Sequence, residues 1–263
     1  MKRQVIMFFD LEGWLDAPSR RRYDMKKTID AISRILDRYG VRAAFNTCGS
    51  VVEHFPGMVK KLSEAGHEIA SHGYAHENMV QLEMTGDLDK VLRKTEDIIE
   101  DVIGTKPVGF RSPWLFHNER VYKVLRKRGY RWASNKSVFR TELLGGPAEG
   151  GGLKLMKQAY FGALWQFYKK GPFNDNGITE IPLLSSQDGE VLGHVDPQQH
   201  TPGSIMDFAH ATLKAQFDHS GKHFNLNFHP WLIGSSNRLK LLERILEYAS
   251  SRDASFVLPR EIA

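Results

Sequence analysis

The chain has 263 residues, 41% of them hydrophobic and 25% charged, with a formal net charge of +5 at pH 7. This composition suits a globular protein with a sizeable core, and no stretch approaches the roughly 20 apolar residues of a membrane span. Cys48 is the lone cysteine, which excludes an intrachain disulfide and fits a reducing compartment.

One α/β domain covering residues 1–263 is expected, because barrels of this class often use such a length as a single unit. The opening Met1-Lys2-Arg3-Gln4-Val5-Ile6-Met7-Phe8-Phe9-Asp10 is too short for a signal peptide and has no cleavage site, so a cytoplasmic location is expected. The basic excess is partly clustered, as in Arg20-Arg21-Arg22 with Lys26-Lys27. It reads either as a solvated surface or as attraction to an anionic substrate or a membrane face. No nucleic-acid motif is present.

Taken in order, Gln4 to Phe9 reads as a buried strand that ends in Asp10-Leu11-Glu12-Gly13-Trp14. Asp24 to Tyr39 is a helix by its spacing of Ile29, Ile32, Ile35 and Leu36, with Gly40 beyond its end. Strands follow at Val41–Asn46 and Glu68–Ser71, with a helix over Phe55–Ala65 between them. Leu88 to Ile103 is a long amphipathic helix. Pro107–Arg111 is a strand, Arg120–Arg128 a helix, and a strand lies near Tyr130–Ala133. Leu144–Leu153 is glycine-rich but lacks a phosphate-binding lysine pattern. Tyr160–Tyr168 carries an aromatic stripe. Thr179–Pro182 reads as a strand, Ser204–Phe217 as a helix, Phe224–Phe228 as a strand, Asn237–Ser250 as a helix, and Phe256-Val257 as a last strand. Alternating strands and helices predict a parallel sheet covered by helices.

The chemistry-bearing residues sit at successive strand ends, where barrel enzymes keep their sites. Asp10 and Glu12, two apart on a strand, look to the same side. Two carboxylates there are costly unless they bind a cation or divide the roles of base and ligand. His72 and His76 stand four apart, the spacing that lets two imidazoles share one metal ion on a helical turn. The spacing alone decides little, since His219 and His223 share it. Arg111 closes one strand in Arg111-Ser112-Pro113-Trp114, and His229 follows another in Phe228-His229-Pro230-Trp231.

This ordered set resembles the polysaccharide deacetylase family, also called the NodB-homology family or carbohydrate esterase family 4. The run Gly66-His67-Glu68-Ile69-Ala70-Ser71-His72-Gly73-Tyr74 is especially close to the family's second motif. The resemblance extends from Phe9 to Ala263. It implies a distorted (β/α) barrel of about seven strands. Asp10-Leu11-Glu12 departs from the family's adjacent aspartates and resembles a branch with D-x-D or D-x-E, which includes peptidoglycan-deacetylase-like and allantoinase-like proteins. The shift makes Glu12, with His72 and His76, the implied metal ligands and leaves Asp10 as base. Relatives in the D-x-D branch tend to associate, so a homo-oligomer is expected.

What the resemblance implies is amide hydrolysis. A divalent ion, zinc by the donor set with cobalt or nickel obeying the same ligand logic, would polarise the acyl oxygen and acidify water. Asp10 would take the water's proton, Arg111 would keep Asp10 ionised, the Trp114 backbone N–H would meet the oxyanion, and His229 would protonate the leaving amine. The family's acidic partner for that histidine is not evident; Asp188, Asp196 and Glu180 are candidates. Trp14, Trp114 and Trp231 flank these motifs and either stack on a sugar ring or roof the core. The expected substrate is an N-acetylated sugar, soluble or lipid-linked at the inner membrane face, and the basic balance would suit an anionic one. The alternatives are a cyclic ureide or imide hydrolase on the same fold and a non-catalytic carbohydrate-binding protein.

Overall fold

The computed structural model describes residues 2–12, 24–137, 171–192, 200–234 and 237–263. Trp14, the Arg20-Arg21-Arg22 cluster, the glycine-rich and aromatic stretches between residues 144 and 168, His194 and Asp196 lie outside the described residues.

Strand β1 (Gln4–Leu11) shows why the chain folds as it does. Its alternate residues Val5, Met7, Phe9 and Leu11 join one core cluster, and Ile6 and Phe8 join another. A strand sends successive side chains to opposite faces, so β1 is buried on both. The first cluster is completed by helix α1 (Met25–Arg38), whose Asp24 side chain caps it by accepting the Lys27 N–H at 2.9 Å. It is further covered by α2 (Gly49–His54), α3 (Pro56–Glu64), and later helices introduced below.

The strands after β1 are β2 (Ala44–Thr47), β3 (Glu68–Ser71), β4 (Gly109–Phe110), β5 (Trp132–Ala133), β6 (Phe173–Asp175), β7 (Ile178–Glu180), β8 (His223–Phe228) and β9 (Ser255–Phe256). The sheet order is β6-β7-β5-β4-β3-β2-β1-β8, with β9 also paired to β1. The pairings from β7 through to β8 are all parallel, which gives seven successive parallel strands; β6 adds an antiparallel edge. The sheet curls into the barrel-like form expected. Helices α4 (Met79–Thr85), α5 (Leu88–Ile103), α6 (Glu119–Lys127), α7 (Asp188–Leu192), α8 (Gly203–His219), α9 (Pro230–Ile233) and α10 (Leu239–Ser251) complete the elements. No helix among the described residues is long and apolar enough to cross a membrane.

Inside the curl lies an apolar plug of Ile6, Phe8, Ala44, Ala70, Trp132 and Ile181. Trp132 is accommodated because β4 offers Gly109 opposite it; a Cβ there would fall 1.9 Å from the indole. Asn225 spans the sheet's open side, donating to the Pro182 carbonyl at 2.6 Å and accepting the Leu184 N–H at 2.8 Å. The next inward residues along these strands are polar: Asp10 above Phe8, Asn46 above Ala44, His72 above Ala70, Ser134 above Trp132. The register sets Asp10 beside Asn46 and Phe8 beside Asn227. The barrel is thus floored with hydrocarbon and topped with a layer of titratable and amide groups.

His67, which precedes β3, is buried and takes a structural role: its Nδ1 accepts the Ala43 N–H at 3.1 Å. Burial, with Arg42 nearby, lowers its pKa to about 4. The neutral imidazole is the folded form, so its stabilisation is complete above the ordinary value of 6.5 and is lost as pH falls from there towards 4. Two and a half units correspond to about 3 kcal/mol at the acid end. His67→Asn, which keeps an acceptor near the Nδ1 position but does not titrate, is expected to flatten the fall in melting temperature between pH 6.5 and 4 relative to wild type. An unchanged slope in a pH series of thermal melts would count against this.

Candidate metal and catalytic site

Asp10 is the centre of the polar layer. It is 4% exposed, and its hydrogen-bond partners Arg111, Asn46 and Asn227 are all buried. Arg111 NH1 lies 3.3 and 3.4 Å from its two oxygens. Asn46 donates to Oδ1 at 2.6 Å and Asn227 to Oδ2 at 2.9 Å. Burial opposes the charge, but Arg111, then His72 and His229, outweigh it, and the Asp10 pKa is lowered. Arg111 is fully buried and far from the surface ion pair that its type usually makes. Its Nε donates to the Ser134 carbonyl at 3.2 Å, its NH2 to Ser134 Oγ at 2.7 Å, and its NH1 also to Asn227 Oδ1. The guanidinium stacks on Phe8, 4.3 Å from the ring centre.

Glu12 stands just beyond β1, 7% exposed. Its Oε1 is 3.1 Å from His76 Nε2 and 3.9 Å from His72 Nε2. One ligand atom from each of these three residues falls within 4.8 Å of the others. His72 is fixed in one tautomer, because Nδ1–H donates to the Arg111 carbonyl at 2.8 Å and leaves Nε2 as the acceptor. That Nε2 is buried and has no hydrogen-bond partner. An orphaned buried nitrogen facing a carboxylate and a second imidazole is the arrangement a divalent cation would satisfy, so the donor set fits the implied metal. Burial lowers the His76 pKa, which favours its neutral, ligand-competent form; burial also opposes the charge on Glu12, but His229, His72 and His76 together outweigh it and hold that carboxyl well below its usual range.

The histidine pair does not lie on a helical turn, contrary to the spacing argument. Residues 72–78 form a loop between β3 and α4. Gly73 (φ 75°) and His76 (φ 62°) both adopt left-handed backbone, and this sharp path, rather than a 3.6-residue period, brings the two rings within 5.1 Å. The positive φ favours glycine at Gly73, where a Cβ would also press on the Met79 methyl at 2.8 Å. The loop is tied down by the first N–H groups of α2: Gly49 donates to the Gly73 carbonyl and Ser50 to the Tyr74 carbonyl, each at 2.9 Å. The Glu77 carboxylate accepts the Tyr74 N–H at 3.0 Å.

His229, after β8, lies 3.7 Å from Asp10 Oδ2 and 3.6 Å from Glu12 Oε1 through its Nε2. Its acidic partner is Asp188, the first residue of α7. Asp188 Oδ1 accepts Nδ1–H at 2.7 Å and Oδ2 accepts the His229 backbone N–H at 2.6 Å. Burial alone would lower the His229 pKa; the Asp188, Glu12 and Asp10 carboxylates overcome it and raise the pKa to about 10. Glu180 serves elsewhere, accepting Tyr122 Oη–H at 2.6 Å and the Asn135 and Lys136 N–H groups at 2.8 and 2.7 Å.

Trp114 lies in a short 3₁₀ turn (Pro113–Leu115) in which it and Leu115 both have positive φ, 51° and 64°. Such backbone costs about 1–2 kcal/mol per residue and persists only where surrounding contacts impose it. The turn sets the Trp114 ring 4.3 Å from that of His76 while leaving Trp114 46% exposed at the site's edge. Trp231, on α9, is partly buried and donates its indole N–H to Glu12 Oε2 at 3.0 Å.

The sequence reading missed Asn46, Asn227 and Ser134. Their signal was present: each is the polar residue next in the inward series of a strand whose preceding inward positions are apolar or amide.

Comparison with known proteins gives the family and the fold. A family model described as polysaccharide deacetylase matches residues 2–133. The peptidoglycan deacetylase of Helicobacter pylori is 27% identical over 146 residues, 50% of this chain and 50% of that protein. The chain thus spans about half the length of this curated relative. A Mycobacterium smegmatis structure assigned as a polysaccharide deacetylase superposes with a TM-score of 0.72 at 24% identity, covering 99% of this chain and 88% of that one. The Puue allantoinase superposes with a TM-score of 0.70 at 14% identity, covering 98% and 88%. The two structural likenesses speak for the fold alone.

Freshly purified protein is expected to carry close to one divalent ion per chain by mass spectrometry. Glu12→Ala and the double variant His72→Ala/His76→Ala are expected to lose it while remaining folded. Metal retained in both variants would place the ion elsewhere.

Proposed function

The chain belongs to the polysaccharide deacetylase family, and from that premise we propose that it is a metal-dependent hydrolase removing the acetyl group from an N-acetylated sugar. The observation that carries this reading is the juxtaposition of the Glu12, His72 and His76 donors with two separately built groups, the Asp10–Arg111 pair and the His229–Asp188 pair. One carboxylate is held ionised and one imidazole is held protonated, beside one cation site. That is the division of labour amide hydrolysis needs.

Asp10 accepts a proton from the attacking water. Its three donors keep it anionic and aimed, but they also make it a weak base, so water must be acidified before Asp10 can deprotonate it. A divalent ion on Glu12, His72 and His76 would supply that acidity and polarise the acyl oxygen, zinc being the ion the donor set suits best. As water oxygen bonds to the acyl carbon, the Trp114 backbone N–H, by family likeness, meets the developing oxyanion. The C–N bond then breaks. His229 Nε2–H gives its proton to the departing amine, and Asp188 holds the ring in the required tautomer and balances its charge. The products are acetate and a free amino sugar. The exposed face of Trp114 offers a surface for the sugar ring.

The Helicobacter relative named for peptidoglycan favours an amino-sugar glycan or its precursor, and the net charge of +5 favours an anionic one. The fold neighbour named as an allantoinase keeps ureide hydrolysis as the second reading. The complete Glu12–His72–His76 set supports the deacetylase instead.

The direct test is acetate release from N-acetylglucosamine oligomers and peptidoglycan fragments, with allantoin as the competing substrate. Acetate from the sugars and no turnover of allantoin is the expected result; turnover of allantoin alone would overturn the reading. Asp10→Asn is expected to keep the metal yet lose about 10²- to 10⁴-fold in kcat. Asp188→Asn removes the first carboxylate that raises the His229 pKa. The active, protonated form of His229 should then be lost at lower pH, so the alkaline limb of the kcat profile moves down towards neutrality. A limb that does not move in Asp188→Asn would show that His229 is not the acid.

A further inference from the structure

Trp231 has a second claim besides contact with a sugar. Its indole N–H donates to Glu12 Oε2 at 3.0 Å, while the other oxygen, Oε1, faces His76, His72 and His229 at 3.1, 3.9 and 3.6 Å. The two oxygens of one carboxylate are therefore divided between a fixed donor and the cation site. We propose that Trp231 is a positioning residue for the metal centre: its indole N–H holds Glu12 as a one-oxygen ligand and keeps the second oxygen out of the coordination sphere. This rests on the metal-binding reading given above.

The argument is mechanical. Glu12 lies beyond the last paired residue of β1, Leu11, so the sheet does not fix it, and a glutamate has one more rotatable bond than an aspartate. Unrestrained, it can turn both oxygens to the ion or swing to the His229 imidazole 3.6 Å away. Either movement removes an open position that the reaction needs for water or the acyl oxygen. An indole N–H is a donor only, so it can pair with a carboxylate oxygen but cannot ligate a cation. It sits on a large ring whose neighbour, His229, is itself fixed by two bonds from Asp188. The segment His229-Pro230-Trp231 thereby sets two things at once, the acid's nitrogen and the orientation of the metal carboxylate. Partners of this kind, bonded to a ligand rather than to the metal, typically change metal affinity by 10–100-fold when removed.

The test measures zinc and cobalt affinity by competition with a chromophoric chelator, in wild type, Trp231→Phe and Trp231→His, with melting curves of each. Trp231→Phe keeps an aromatic face for a sugar but loses the donor. Trp231→His restores an N–H, because imidazole Nε2 occupies nearly the place of indole Nε1 in a five-membered ring. The expected result is a 10–100-fold weaker dissociation constant in Trp231→Phe, recovered at least tenfold in Trp231→His where the loss allows it, with a changed visible spectrum of the cobalt form in the Phe variant. Equal metal affinity in wild type and Trp231→Phe, with only KM altered, would overturn the proposal and leave Trp231 as a sugar platform. A loss in both variants alike would assign the effect to the indole's bulk and overturn it too. If Trp231→Phe does not fold, Trp231→His with wild-type affinity supports the proposal and Trp231→His with weak affinity opposes it. Failure of wild type itself to bind either ion would instead sink the metal-binding reading, so the two failures are distinguishable.

Discussion

The site depends on a fully buried guanidinium. Arg111 has no exposed surface and rests on the Phe8 ring, so its charge needs a partner within the fold. Breaking such a pair by removing one partner usually costs several kcal/mol, because the other charge is stranded. Asp10 compensates it, and Ser134 and Asn227 accept three further N–H bonds from it. The same contacts keep Asp10 ionised. The Arg111 carbonyl, meanwhile, accepts a hydrogen bond from His72 Nδ1–H and so turns His72 Nε2 towards Glu12. One residue therefore links the Asp10 carboxylate to the His72 imidazole, and the hydrocarbon plug beneath gives both a rigid floor.

Around that centre the fold supplies two different kinds of precision. Strand residues are placed by pairing: Asp10 and Asn46 are partners on one rung, Asn227 is partnered two residues back with Phe8, and the three cannot move independently. Loop residues are placed by strained backbone. His76, Trp114 and Leu115 all have positive φ, and each lies in a loop clamped by hydrogen bonds, the first by the start of α2, the other two within the 3₁₀ turn that Ser112 opens. Strain concentrated where a candidate metal ligand and a wall of the candidate site are set is what functional loops commonly show.

Much of the fold was legible because its signals are local. The limits of α5 and β3 coincide with those read from apolar spacing and glycine stops. The parallel order followed from alternating strands and helices. Five of the six main site residues could be read for a related reason: Asp10, Glu12, His72, Arg111 and His229 stand at or just past the ends of strands, where a parallel α/β sheet leaves side chains uncovered. His76 was identified by a spacing whose structural explanation proved different, a left-handed loop in place of a helical turn.

By itself the sequence determined the longer elements, the parallel order of the main strands and the residues that carry charge to one end of the sheet, because hydrophobic period and turn chemistry act over a few residues; the short helices α2, α4, α7 and α9 and the edge strand β6 it did not give. Only the tertiary structure decided the partnerships. Asp188 and Glu180 are both acids near strands in the same stretch of chain. Asp188 meets His229 because α7 begins under the end of β8, whereas Glu180 falls on the outward side of β7 and meets Tyr122 of α6. Trp231 likewise reaches Glu12 across 219 positions of chain. Which oxygen meets which nitrogen depends on how distant segments close on one another, and no local pattern records that.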